Sequence, residues 1–228
     1  MSLKVSRGNM YDWVTHMHAH LGGECPHRCS YCYVGRSRFG RPERYSGPLR
    51  LVEDELRVRY GRGRTIFIEH MNDLFAKEVP GAWILDILDH CWKYPENTYV
   101  FQTKNPSRIP RLSAPVPPGS IIGTTIETNR PIPCSLAPLT TSRASALGDI
   151  GLQGYRTFLT IEPILDFDVD PLAEMVIGVK PEFINIGADS KGCGLPEPSA
   201  EKVASLISSL QDAGVVIRKK VNLGRLLR

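Results

Sequence analysis

Seven short β-like runs, several of them continuously apolar rather than alternating, recur along the chain with helix-like stretches between them, and this pattern constrains the fold more than any other feature. The runs are 12–18, 65–69, 98–102, 120–126, 157–161, 183–186 and 215–218. A strand buried on both faces loses the polar–apolar alternation of a half-exposed one, so the pattern predicts a parallel sheet covered by helices. The intervening stretches fit crossover helices, notably over 51–60, 81–92, 171–177 and 199–213, the last with an amphipathic pattern. The last opens on Ser199, a natural N-cap, with Gly214 just past its end. The stretch 106–118, with five prolines, and the stretch 128–154 read as the least regular parts. Six or seven βα units in 228 residues are too few for a closed eight-stranded barrel. The expected fold is therefore α/β, an open partial (β/α) barrel of about six or seven parallel strands. Neither a composition break nor a repeat divides the chain, so one domain over 1–228 is expected.

Hydrophobic residues make up 42% of the chain and charged residues 23%, the balance of a soluble globular protein. No run approaches the ~20 apolar residues that span a bilayer. The opening Met-Ser-Leu-Lys-Val-Ser-Arg-Gly carries no apolar leader, which predicts a reducing cytoplasm and free thiols rather than disulfides. The net charge of +4 is unevenly spread: residues 28–64 hold ten arginines against four acidic residues. Arg218, Lys219, Lys220, Arg225 and Arg228 form a second positive cluster. Two readings stand side by side, a solvated surface and a face for phosphates or nucleic acid.

Three of the six cysteines, Cys25, Cys29 and Cys32, lie in the run Gly-Gly-Glu-Cys-Pro-His-Arg-Cys-Ser-Tyr-Cys-Tyr, a CxxxCxxC spacing. Soft thiolates are the usual ligands of [4Fe–4S] clusters, and three are one fewer than a cubane can accept. The fourth iron would be open to an exchangeable ligand. Zinc is the competing metal, with His27, or His16, His18 or His20, completing a Cys3His set. Structural zinc sites usually present two separated ligand pairs, whereas these three thiols share one short loop. Cys91 reads as a small buried helix residue, while Cys134 and Cys193 fall in loop-like contexts. At the carboxyl ends of the expected strands stand the cysteine loop, Asn72 with Asp73, Thr103 with Lys104, Glu127 with Asn129, Glu162, Asp189 with Ser190, and the Arg218 cluster. Ligands of parallel α/β folds bind at that rim.

A CxxxCxxC motif with an aromatic residue before its third cysteine, following an early strand of a βα series, resembles the radical S-adenosylmethionine superfamily. The resemblance implies a [4Fe–4S] cluster on Cys25, Cys29 and Cys32 whose open iron is chelated by S-adenosylmethionine. Reductive cleavage of that sulfonium would release a 5′-deoxyadenosyl radical. Further stretches are similar to the spore photoproduct lyase family and to a phage-associated family of unassigned function. They are Tyr-Asp-Trp-Val-Thr-His before the cysteines, Met71-Asn72-Asp73-Leu74, Thr103-Lys104-Asn105-Pro106, Thr125-Ile126-Glu127, Ile161-Glu162-Pro163-Ile164 and Ile186-Gly187-Ala188-Asp189-Ser190.

Carried over position by position, the resemblance implies that Tyr31 flanks the adenine and that Asn72 or Asp73 holds the methionine amino group. The superfamily often has a Gly-Gly-Glu run there, which is absent in this chain. Lys104 is implied for the carboxylate, and Thr125 or Glu127 for the ribose hydroxyls. The lyase's hydrogen-donor cysteine falls near Met71, which cannot donate that hydrogen, so the lyase reaction itself is not expected. The expectation is an enzyme that cleaves S-adenosylmethionine reductively and acts on an unidentified substrate, leaning toward nucleic acid or a nucleotide, with a reducing electron donor as partner and no membrane. The alternative is a non-catalytic iron–sulfur or zinc module that binds nucleic acid.

Overall fold

A computed structural model describes residues 3–6, 11–36, 42–131 and 135–228. Its sheet holds β1 (Lys4–Val5), β2 (His16–His18), β5 (Thr65–Ile68), β6 (Thr98–Gln102), β7 (Ile121–Thr125), β8 (Arg156–Ile161), β9 (Phe183–Ile186) and β10 (Ile217–Lys219). They lie side by side in that order. Seven of them, β2 and β5 to β10, run parallel, and β1 adds an antiparallel edge through Lys4↔Met17. Among the described residues the two ends of the sheet do not pair, so this is an open α/β partial barrel. A separate ribbon joins β3 (Leu21–Gly22) to β4 (Arg50–Leu51). Helices α1 (Gly81–Trp92), α2 (Thr140–Leu152), α3 (Val169–Val179) and α4 (Ala200–Asp212) form the crossovers. Among the described residues, no helix is long and apolar enough to cross a membrane.

Alternation across the pleat divides the strands between two environments. Ile66, Ile68, Phe101, Ile122, Leu159, Ile161, Ile184 and Ile186 pack under Ile84, Ile87, Leu172, Val176, Val203 and Leu206 of the helices. Their neighbours Phe67, Val100, Ile121, Phe158 and Phe183 face the concave side and pack with Tyr11 and Val14. Trp13 meets Phe158 and Phe183 edge-on, at 5.4 and 5.2 Å between ring centroids. Each such buried side chain contributes about 1.5–3 kcal/mol. Gly123 leaves room for Phe158 here, because a Cβ would stand 2.3 Å from that ring and force it to shift. Toward the carboxyl ends the same concave face turns polar at Gln102, Thr125, Thr160 and Asn185.

The expected strands appear, though run 12–18 narrows to His16–His18 and run 215–218 shifts to Ile217–Lys219. Helix α4 opens as its serine cap predicts, with Ser199 Oγ accepting from Lys202 N at 3.3 Å. Two expectations are corrected. Residues 51–60 form no crossover helix: Leu51 pairs with Leu21, Val52 N donates to His20 O at 2.8 Å, and only a 3-10 turn at Glu53–Arg57 follows. The stretch 128–154, read as irregular, contains α2. That helix buries small residues with sparse apolar ones, Ala144, Leu147 and Ile150, so its periodicity is weak in sequence.

Candidate active site

The cysteine loop leaves β3 at Gly22 and turns at Gly23, whose φ of +83° places a would-be Cβ 2.0 Å from Pro48 O. Only glycine fits this approach. Two tight turns follow, with Arg28 N donating to Cys25 O and Cys32 N to Cys29 O. The loop covers the rim of a cavity of about 1160 Å³ lined by Cys25, Cys29 and Cys32 together with strand-end side chains. All three cysteines are half-buried and free of disulfides. Burial, then the charge of Asp73, pushes the Cys25 thiol up to about 12. A thiolate there needs a cationic partner.

Two neighbours clamp this loop. His27 is buried within it, and its Nε2 lies 2.8 Å from Asp73 Oδ2. Asp73 also accepts from Lys104 N at 2.7 Å and Phe75 N at 3.0 Å, and Thr103 bonds to it as well. Burial alone would raise this carboxyl, but these partners hold it below the usual aspartate range. On the other side Leu136 N donates to His27 O at 2.8 Å, and Ser135 Oγ stands 3.2 Å from Cys29 Sγ.

Tyr31, Asn72, Asp73, Lys104 and Thr125 all line the cavity. Glu127 does not: it is fully buried beneath the wall. The Tyr31 hydroxyl donates to Glu127 Oε1, Lys104 Nζ donates to the same oxygen at 2.6 Å, and Arg143 Nη1 donates to Oε2 at 2.9 Å. Burial works against the Glu127 charge, yet Lys104 and Arg143 keep its carboxyl below the ordinary value. Burial, then Glu127, drives the Tyr31 phenol well up. Arg143 sits in α2, the helix not expected from sequence, and its only signal there was an arginine amid small residues. Asn72 Nδ2 donates to Gly23 O at 3.2 Å, and its Oδ1 accepts Asp73 N at 3.0 Å.

The polar belt above the aromatic floor is continuous. Tyr11 donates to Gln102 Oε1 at 2.7 Å and stands 2.7 Å from Thr160 Oγ1, while Gln102 Nε2 donates to Thr125 Oγ1 at 2.9 Å. Of the other rim residues, Glu162, Asp189 and Ser190 line the cavity, with Lys220 Nζ 2.7 Å from Glu162 Oε2. Asn129 turns to Asp168, and Arg218 lies 3.9 Å over the Phe183 ring. Cys193 lies close enough to Cys32 and Arg36 to feel both, and burial, then Asp189, raises its thiol. Cys134 falls outside the described residues. Many arginines of 28–64 serve the chain itself: Arg44 pairs with Glu55, Arg57 with Asp54, and Arg50 and Arg64 hold carbonyls.

Among the described residues, no three His, Cys, Asp or Glu side chains converge on one point, as a single tetrahedral zinc requires. His27 is engaged by Asp73, and His18 and His20 belong to a separate buried network. A cubane instead spreads its thiolates over separate irons, and three cysteines around one cavity mouth fit that demand.

This open sheet with a cysteine loop over its carboxyl rim defines the class of fold. In solved structures it superposes on a cysteine-to-serine variant of spore photoproduct lyase, with TM-score 0.63 and 12% identity over 95% of this chain and 81% of that one. Spore photoproduct lyase complexed with dinucleoside spore photoproduct gives TM-score 0.60 at 12% identity, over the same shares. Streptococcus suis SuiB bound to S-adenosylmethionine gives 0.53 at 8% identity, over 90% of this chain and 50% of that one. No curated protein matches in sequence. Residues 10–178 match the family described as Protein of unknown function (DUF5131), and the chain belongs to that family. Its description names no phage association.

Proposed function

We propose that the chain is a radical S-adenosylmethionine enzyme, a single domain over 1–228 working in the cytoplasm with a reducing electron donor. One observation carries this reading: Cys25, Cys29 and Cys32 open on the same cavity as Tyr31, Asn72, Asp73, Lys104 and Thr125. The cysteines would hold a [4Fe–4S] cluster and the strand-end residues S-adenosylmethionine; when bound and reduced, the pair supplies a 5′-deoxyadenosyl radical.

The chain's own residues divide the remaining work. Tyr31 offers a ring face to the adenine, and its bond to Glu127 fixes the ring orientation. Lys104 is the point charge for the carboxylate, and when it turns to a ligand Arg143 still satisfies Glu127. A carboxylate has about four acceptor positions, and those of Asp73 are filled by His27, Thr103 and two backbone N–H groups. The amino contact therefore falls to Asn72, with Asp73 bracing the loop. Thr125 faces the ribose, and Glu127 supports the wall from beneath.

For substrate class we propose a nucleotide or nucleic acid. The dinucleoside complex of spore photoproduct lyase supports that class, while SuiB bound to its precursor peptide SuiA shows the fold receiving a different one. Anaerobic reconstitution tests the reading. About four irons per chain are expected, with dithionite-dependent release of 5′-deoxyadenosine from S-adenosylmethionine. Four irons without cleavage would favour a non-catalytic module, and stoichiometric zinc without iron would overturn both cofactor and reaction. Oligonucleotide binding should weaken steeply with salt, and no retention at low salt would discard the nucleic-acid class.

A further inference from the structure

On the helix-covered side of β2 and β5 lies a second set of titratable groups, apart from the cofactor-holding residues. His20, Tyr60, Glu69 and His90 are each at most 2% exposed. His20 Nδ1 stands 2.8 Å from Glu69 Oε1, His20 Nε2 stands 2.9 Å from His90 Nδ1, and His90 Nε2 stands 2.8 Å from Val58 O. Glu69 also accepts from His20 N and Leu21 N, while the Tyr60 hydroxyl is 3.0 Å from His20 Nε2. Glu69 closes β5 at a φ of +59°, a left-handed conformation that costs a non-glycine residue energy, and it lines the cavity.

Counting hydrogens fixes the charge of this chain of bonds. Val58 O can only accept, so His90 Nε2 must carry a hydrogen, which leaves Nδ1 of a neutral His90 as an acceptor. His20 Nε2 must then donate to it. The bond between His20 Nδ1 and Glu69 still needs one more hydrogen. Three bonds require three hydrogens, whereas two neutral imidazoles and an ionised carboxylate supply two. An arrangement with all three bonds made therefore holds one extra proton and is electrically neutral, as a fully buried group requires.

We propose that Glu69, His20 and His90 hold one shared proton, and that Glu69 delivers it as a general acid to a basic atom of a ligand in the cavity. In that step the carboxyl O–H bond breaks and the ligand atom gains the hydrogen. Glu69 is left ionised and both imidazoles neutral, with His20 still carrying its hydrogen on Nε2 toward His90, so the carboxylate and His20 Nδ1 face each other without a hydrogen until cavity water restores the proton. Burial supports the placement. It lifts the Glu69 carboxyl to about 7 against the N–H groups of His20 and Leu21, and takes His20 down to about 3 and His90 to about 4. The surrounding charged and titratable groups are His18 on β2, Glu55 paired with Arg44, His70 beside Glu69 with Lys4 acting on it, Tyr45, and Cys91 on α1. The proposal stands whether or not the cysteine loop carries a cluster.

Infrared difference spectroscopy of the full chain tests it, with Glu69→Gln as reference. A protonated-carboxyl C=O band is expected at acid and neutral pH, lost as pH rises, absent from Glu69→Gln, and shifted within seconds of transfer into deuterated water. Absence of the band would overturn the shared proton. A band that exchanges only on global unfolding would overturn delivery to the cavity. His90→Phe is the second variant: it removes the acceptor that forces His20 Nε2 to donate, so the loss of the band should move to lower pH. An unmoved transition would remove His90 from the relay.

Discussion

His27 Nε2 and Asp73 Oδ2 are joined at 2.8 Å, and that contact ties the middle of the cysteine loop to the segment following β5. Because Asp73 also receives Lys104 N and Phe75 N, one carboxylate positions the loop, the end of β6 and the turn between them. Replacing it by Ala strands several buried donors at about 1–3 kcal/mol each. Asp73→Ala should therefore lose about 3 kcal/mol or more in denaturant unfolding of the iron-free chain, and retain less iron per chain after reconstitution.

The same carboxylate predicts an acid limb. Its folded value lies below its ordinary one, so its contribution is present above the unfolded value of about 3.9 and disappears as pH falls through the folded value. Stability measured from pH 6 to pH 2 should fall less steeply in Asp73→Asn than in the wild type, after allowing for the lower starting stability. Parallel curves would remove Asp73 as a source of the acid dependence.

Glu127 shares its buried site with Arg143, which is 2% exposed, and with Lys104. Removing one member of a buried ion pair leaves the other charge uncompensated, typically at about 3–5 kcal/mol. Chemical denaturation of Glu127→Ala should show a loss of that size. Tyr31→Phe deletes one hydroxyl bond to the same carboxylate and should cost about 1 kcal/mol.

Gly123 faces the Phe158 ring, so Gly123→Ala overpacks the concave side. A loss of about 1–3 kcal/mol is expected. Combining it with Phe158→Leu should cost less than the sum of the two single changes, as a double-mutant cycle would reveal. Strict additivity would show that the two positions do not press on each other.

The strands and the rim were legible because a buried parallel strand writes a run of Val, Ile and Phe whatever its partners, and because Asn72, Asp73 and Lys104 come shortly after such runs and Thr125 near the end of one. What stayed hidden depends on distant residues. Arg143 joins the wall only because α2 crosses behind β7, and the small side chains of that helix give little periodic signal. His27 was one of four histidines that could have completed a competing zinc site, and only the fold brings Asp73 to its ring. Residues 51–60 fitted a crossover helix because they lie between two expected strands. The ladder to Leu21 and the burial of Glu55 against Arg44 prevail over that expectation. Glu69 passed as an ordinary strand terminus, since nothing local announces that His20 and His90 lie beside it.

The rings of Tyr11, Trp13, Phe158 and Phe183 stopper the lower end of the hollow, leaving the sulfur-bearing doorway as the shared route for every visitor. On the function proposed above, a long substrate laid across that opening would cover any smaller molecule bound beneath it, so the order of binding would follow from shape.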